Sequence, residues 1–260
     1  MSEAPVTYHV AEGVAYLTLN RPRVLNALNT DLAAALADHA DAAAADPDVM
    51  TVVVRGAGRA FCSGMDRTAL AGGTIGDEFY RHWIRGLNRL EDMPKVTLAV
   101  LHGHSIGGGL QLGLACDLRL ATHDAVLGLG ASRHGIIPDG GVLRLARIVG
   151  LGRAKELALL NDDVGPAEAR AIGLVNWVCA PEEIDATVAG VVERLRHQAP
   201  TANAHIKRLL HDSFHQDPRA MIEAVMAAQR DCMTSWETDE ANRAWRERRE
   251  ATFYPRPRRS

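Results

Sequence analysis

The apolar run at residues 96–101 meets a glycine-rich decapeptide, His102-Gly103-His104-Ser105-Ile106-Gly107-Gly108-Gly109-Leu110-Gln111. Leu112, Leu114 and Ala115 follow. A short β-branched run reads as a buried strand, the glycines as a sharp turn, and the leucines as a buried helix. Few folds bury a strand and the next helix so completely, and most of them are α/β. The turn itself supports two chemistries. Gly103-x-Ser105-x-Gly107 fits the nucleophile-elbow pattern, with Ser105 as the attacking hydroxyl. Gly107-Gly108-Gly109 at a helix start instead offers bare backbone N–H groups, an oxyanion hole that needs no nucleophile.

The remaining pattern extends the α/β reading. Residues 7–10 and 14–19 alternate around Ala11-Glu12-Gly13 and read as a hairpin. Thr30 is expected to cap a helix that runs to Ala45, where Asp46-Pro47 stops it. Residues 52–54, 118–121, 126–129 and 174–178 read as strands, and 79–90, 140–148, 153–160 and 166–172 as helices. Glycines punctuate residues 56–64 and 72–76. Beyond about residue 182 only helical stripes occur. The expected organisation is an α/β core over residues 1–195 and a helical segment over 196–260. The latter is too short to fold alone and needs the core or another subunit to cover its apolar face.

Composition excludes several classes. The 260 residues carry 29 basic and 32 acidic side chains, a formal net charge of −3, which gives no general pull toward nucleic acid or membrane. Cys62, Cys116, Cys179 and Cys232 are scattered, as free thiols in a reducing compartment would be. No apolar run approaches the ~20 residues that span a bilayer, and residues 1–8 have no signal pattern. A cytoplasmic protein is expected. No G-x-G-x-x-G is completed at Gly56, Gly128 or Gly150, and His102-x-His104 lacks a third ligand at metal spacing. A Ser105 hydrolase would need an acid from Asp139, Asp162 or Asp185 and a base from His197, His205, His211 or His215. Those histidines all lie in the helical C-terminal stretch.

A larger constellation points elsewhere. Asn20-Arg21-Pro22-Arg23-Val24-Leu25-Asn26-Ala27-Leu28 is followed by Ala60-Phe61-Cys62-Ser63-Gly64-Met65-Asp66 and then by the triple glycine. Ala115-Cys116-Asp117, Gly135-Ile136-Ile137-Pro138-Asp139-Gly140-Gly141 and Ala167-Glu168-Ala169 continue the series in the same order. Over about residues 6–200 the chain resembles the crotonase (enoyl-CoA hydratase/isomerase) superfamily. The resemblance implies a spiral of ββα units with a C-terminal helical segment, and a homotrimer or a dimer of trimers. It implies an acyl-CoA substrate, whose coenzyme A arrives as part of the substrate, with no separate cofactor and no metal. No nucleic-acid or membrane partner is expected.

By the same resemblance, the amides of Met65 and Gly108 would stabilise a thioester enolate. Arg23, Val24, Ser63, Met65, Asp66, Arg67, Thr68 and Gly108 fall where the family contacts the coenzyme A and pantetheine chain. Hydratases of the family carry two glutamates that handle water. Their positions match Gln111 and Ala131 here, and neither side chain can be a carboxylate acid or base. Asp139 matches the acidic residue of members that shift double bonds. It is the expected proton carrier, with a helix cap for residue 140 onward as its alternative role. His82 and His134 are possible assistants, and Tyr80 and Trp83 possible pocket walls. The arginines at 243, 246, 248, 249, 256, 258 and 259 could meet coenzyme A phosphates or end a solvated helix. An enoyl-CoA isomerase-type reaction is the expectation. Hydration, thioester hydrolysis, decarboxylation or carbon–carbon cleavage, a Ser105 hydrolase, and a non-catalytic module binding coenzyme A or RNA remain the alternatives.

Overall fold

The computed structural model describes residues 4–255. The chain opens with strands β1 (Val6–Ala11) and β2 (Val14–Leu19), paired antiparallel through a tight turn. Glu12 and Gly13 both take positive φ there, 49° and 77°, the backbone twist that a two-residue hairpin demands. Helix α1 (Thr30–Ala45) follows. Its cap is Asn29, not Thr30: the Asn29 side chain accepts the Leu32 amide at 3.0 Å, and Thr30 is already helical. Strand β3 (Thr51–Gly56) lies parallel to β2. The short helix α2 (Arg67–Ala71), for which the sequence carries no clear signal, precedes α3 (Asp77–Asp92).

The opening sequence feature becomes β4 (Val96–Leu101), β5 (His104–Ile106) and α4 (Gly108–Leu114). The next unit repeats the plan with β6 (Leu118–Thr122) and β7 (Val126–Gly128). Helices α5 (Leu145–Val149), α6 (Leu151–Leu160) and α7 (Pro166–Ala171) lead to β8 (Trp177–Cys179). The main sheet runs β1-β2-β3-β4-β6-β8, parallel after the first hairpin, and β5 and β7 form a second, two-stranded parallel layer.

Two boundaries differ from the sequence expectation. The helix expected over 140–148 begins only at Leu145, because residues 138–144 form successive turns around Gly140 and Gly141. The strand expected over 174–178 pairs only from Trp177, since Leu174 and Val175 turn inward and pack in the main core.

Both faces of the sheet are covered, which is why its strands read as continuous apolar runs. Val52, Val54, Ala99 and Leu101 point toward α1, α3 and α4. Val53, Leu98, Val100 and Leu120 point the other way, onto Val188, Val191 and Val192 of α8 (Ile184–Arg196). Three further helices complete the described chain: α9 (Pro200–Asp212), α10 (Pro218–Met233) and α11 (Trp236–Glu247). Lys207 fastens α9 to the core, reaching Asp117 at 2.9 Å and the carbonyls of Leu90 and Lys95 at 3.0 Å each. Among the described residues no helix is long and apolar enough to cross a membrane.

Candidate active site

The site is assembled by backbone pairing before any side chain takes part. Leu28 bridges to Met65 in parallel fashion: the Leu28 amide donates to Gly64 O, and the Asp66 amide donates to Leu28 O. This pairing leaves the Met65 N–H on the other side of its strand. Cys62 bridges to Ser105 in the same way, through Cys62 N–H to His104 O and Ile106 N–H to Cys62 O. The segment carrying Met65 is thereby sewn to the strand leading into Gly107 and Gly108.

The fit between the two segments is tight. A Cβ on Gly64, whose φ is +90°, would stand 2.9 Å from Ile106 O and 3.6 Å from Gly108 N. A Cβ on Gly109 would stand 2.2 Å from Cys62 O. Glycine is therefore required on steric grounds. Among the described hydrogen bonds, neither the Met65 nor the Gly108 N–H finds an acceptor. Both residues line one cavity of about 330 Å³. Gly108 also opens α4, where the helix dipole adds positive potential.

Asn26 braces this arrangement from behind. It is fully buried, and its Nδ2 faces three carbonyl oxygens, those of Ala57 (3.0 Å), Ala60 (2.8 Å) and Phe61 (3.1 Å). Its Oδ1 accepts the Arg21 amide at 2.8 Å. Nothing in the sequence says that this amide reaches a loop more than thirty residues away. Asn26→Ala would leave buried carbonyls unpaired. It is expected to cost about 3 kcal/mol and to lower Tm by about 6–12 °C in a thermal melt.

The Asp66 carboxylate is engaged within its own loop. Its carboxylate caps α2 through the Thr68 and Ala69 amides and pairs with Arg21 at 3.1 Å. Burial raises this carboxyl, but the Ala69 amide, Arg21 and the Thr68 amide outweigh it and leave the pKa below the ordinary value. Of the other residues expected to meet coenzyme A, Ser63, Met65, Arg67 and Gly108 line the cavity. Arg23 and Val24 lie exposed on a 3-10 turn outside the cavity wall, and Thr68 is exposed on the first turn of α2.

The far wall joins α3, α4 and the 130–140 loop. Phe79 and Trp83 project from the buried stripe of α3, with ring centroids 6.2 Å apart. His82 stands one residue off that stripe and is not part of the cavity wall. His134 is part of it, exposed at the end of a 3-10 turn, beside Ile136 and Ile137. Gln111 and Ala131 line the cavity too. Sequence reasoning identified the Gly108 turn, Asp139 and Trp83, but not Leu28, Ile106 or Leu129, which join the wall only through tertiary packing.

Asp139 is the one acidic side chain lining this cavity among the described residues. It is no N-cap, since no helix begins at Gly140. Its Oδ2 is buried without a hydrogen-bond partner. Burial pushes its pKa above the ordinary carboxylate value, while the Gly140 and Asp139 amides, the Gln111 carboxamide and the Arg144 charge pull the other way.

The nucleophile alternatives lack their partners. Ser105 lies on β5, fully buried, and its Oγ has no hydrogen-bond partner. The histidines that could have served it are engaged elsewhere: His205 with Asp231, His211 with Glu91, His197 with the Ala251 carbonyl, and His215 with Arg147. Burial pushes the Cys62 thiol up to about 12, despite the Gly64 amide directed at it. No three His, Cys, Asp or Glu side chains gather as a metal-ligand set among the described residues. In the basic C-terminal stretch, Arg243 and Arg249 are held by Glu240, while residues 256, 258 and 259 lie outside the described residues.

Similarity to known proteins extends over the whole of this frame. The sequence profile described as enoyl-CoA hydratase/isomerase matches residues 9–256. The chain is 31% identical to the crotonyl-CoA hydratase of Syntrophomonas wolfei, over 93% of this chain and 95% of that protein. It is 30% identical to the short-chain-enoyl-CoA hydratase of Clostridium acetobutylicum, over 91% and 92%. A crystal structure from Thermobifida fusca YX, in complex with acetoacetyl-CoA, superposes with a TM-score of 0.80 at 30% identity, covering 88% of this chain and 95% of that one. Full-length sequence similarity and shared architecture thus agree with the paired glycine turns: the chain has the crotonase fold and belongs to the enoyl-CoA hydratase/isomerase family.

Proposed function

We propose that this enzyme shifts a carbon–carbon double bond in an enoyl-CoA thioester. The observation that carries the reading is the inventory of the cavity wall: it holds Asp139, while Gln111 and Ala131 stand where hydratases of the family keep their glutamates. One carboxylate suffices for an isomerisation, because the proton removed from one carbon is returned to another. The Asp139 carboxylate takes a proton from the carbon next to the thioester carbonyl of a 3-enoyl-CoA. The electron pair moves into the thioester, and negative charge gathers on the carbonyl oxygen. The Met65 and Gly108 amides hold that oxygen with no reorganisation. The Asp139 carboxyl then delivers the proton to the γ carbon, leaving the 2-enoyl-CoA. Nothing is added or lost.

Leu28, Leu70, Phe79, Trp83, Ile136 and Ile137 suit an apolar acyl group. Arg67 lines the cavity and Arg23 is exposed on the 3-10 turn, and either would offer the phosphates of coenzyme A a cation. Exposed Ile206, Leu210, Phe214, Ile222, Val225 and Met226 on the C-terminal helices and the turn after α9 support a trimer or dimer of trimers, with those faces meeting other subunits.

Hydration is the second reading, favoured by the names of the two relatives above. Incubating the purified enzyme with 3-enoyl- and 2-enoyl-CoA esters separates the two. The expected product is the equilibrium mixture of double-bond isomers, with 3-hydroxyacyl-CoA formed at least ~10²-fold more slowly. Efficient hydration of the 2-enoyl ester would overturn the assignment.

A further inference from the structure

Gln111 stands where a carboxylate is missing, and its carboxamide is held in one orientation. The side chain is 4% exposed. Its Oε1 accepts the Gly140 N–H at 2.7 Å, so the Nε2 end is the free donor. The other side of the Gly140 residue is fastened as well. Arg144 Nη1 donates to Gly140 O at 2.9 Å, and Arg144 Nη2 is anchored on α3 by Asn88 Oδ1 at 2.9 Å and by Glu91. A Cβ on Gly140 would press to 2.4 Å from Leu87 Cδ1 and 3.0 Å from Gln111 Oε1, so the contact leaves no slack.

We propose that Gln111 is a positioning residue for Asp139, its carboxamide oriented by Gly140 and Arg144 so that Nε2 donates to the carboxylate that carries the proton. The proposal rests on the reading of Asp139 as proton carrier and adds the device that aims it. Gln111 lies one turn into α4, so the same short helix supplies the Gly108 amide and the donor that sets the base. A donor on one carboxylate oxygen favours the ionised form, and Oδ2 is buried without a hydrogen-bond partner of its own. Among the described residues, Tyr80 from α3, Arg144 from the turn before α5, Arg67 from α2 and His134 at the cavity edge are the other titratable or charged groups that face Asp139 or share its cavity wall.

The experiment uses full-length Gln111→Leu and Gln111→Glu. The glutamate variant keeps an acceptor for the Gly140 amide and serves if the leucine variant fails to fold. Two readouts are taken: the pH profile of isomerisation, and an infrared titration of the carboxyl band that disappears in Asp139→Asn. Loss of the donor is expected to move the Asp139 titration and the acid limb upward by about one pH unit. At neutral pH kcat should fall about ten-fold, with KM within about two-fold of wild type. Gln111→Glu should split the carboxyl titration into two steps, as two close carboxyls share a proton. Titrations and acid limbs that coincide with wild type in the variants would overturn the proposal. So would a raised KM at unchanged kcat. A wild-type enzyme that does not isomerise, yet whose Asp139 titration moves in the variants, would support the positioning and remove only the proposed reaction.

Discussion

Asp139→Asn is expected to lower isomerisation of 3-enoyl-CoA by about 10³-fold, within the range that loss of a positioned acid–base group commonly costs. The amide fits the same space and keeps an oxygen for its neighbours, so KM should change little and the loss should fall on kcat. In the wild-type enzyme the acid limb of the pH profile should lie above the ordinary aspartate range, because burial disfavours the charged form. Activity falls as pH drops through that limb and the base becomes protonated.

Stability should move in the opposite direction. A carboxyl whose pKa is raised by folding contributes stability while protonated and loses that contribution as pH rises through its folded pKa. At neutral pH the ionised Asp139 is therefore a burden to the fold. The asparagine variant should melt about 1–3 °C higher there, with the difference shrinking in acid. A variant both less active and more stable is the pattern expected of a site residue. A residue serving only the fold would lose stability on substitution.

Gly109→Ala is expected to have the second-largest effect, without touching the reacting atoms. The new methyl group would meet Cys62 O at 2.2 Å and Cys62 C and Cβ at 3.0 Å. Backbone cannot swing aside as a side-chain tip can, so the start of α4 must separate from the segment carrying Met65. The two amides then no longer converge on one oxygen. A loss of about 10²–10³-fold in kcat is expected, the usual cost of losing an oxyanion donor, with a stability loss of about 1–3 kcal/mol. Gly152→Ala is the control. A Cβ there meets nothing within 4 Å inside α6, so activity should be unchanged and the melting temperature equal or slightly higher. If Gly109→Ala retains full kcat, the paired amides do not hold the developing charge.

Much of the site was legible because its chemistry is local. The glycine run before a leucine-rich helix announces bare amides at a helix start. The resemblance sets Gln111 and Ala131 at the positions of two hydratase glutamates, and neither side chain can be a carboxylate whatever the fold does. Asp139 could be singled out because the resemblance places it at the acidic position of family members that shift double bonds. Its alternative role as a cap for a helix from Gly140 turned on the next five residues, and these make turns until Leu145.

What sequence could not decide is non-local. Ser105 fits a nucleophile elbow in the one-dimensional pattern. Pairing of Cys62 with Ser105, and of β5 with β7, turns the same residues into a strand with the hydroxyl buried and without a hydrogen-bond partner. His82 and His134 looked alike as candidates, and only the packing of α3 separates one from the cavity that the other lines. The brace made by Asn26 spans some thirty residues, and the Arg144–Gly140–Gln111 chain joins segments whose sequence neighbours reveal nothing of each other. Residue type and spacing determined which groups this chain brings to the reaction, because acidity, bare amides and turn glycines belong to single residues and short runs. Tertiary structure alone decided which of them face one cavity and how they are aimed. Convergence of that kind is set by strand pairing and packing between distant segments, on which the local sequence carries no record.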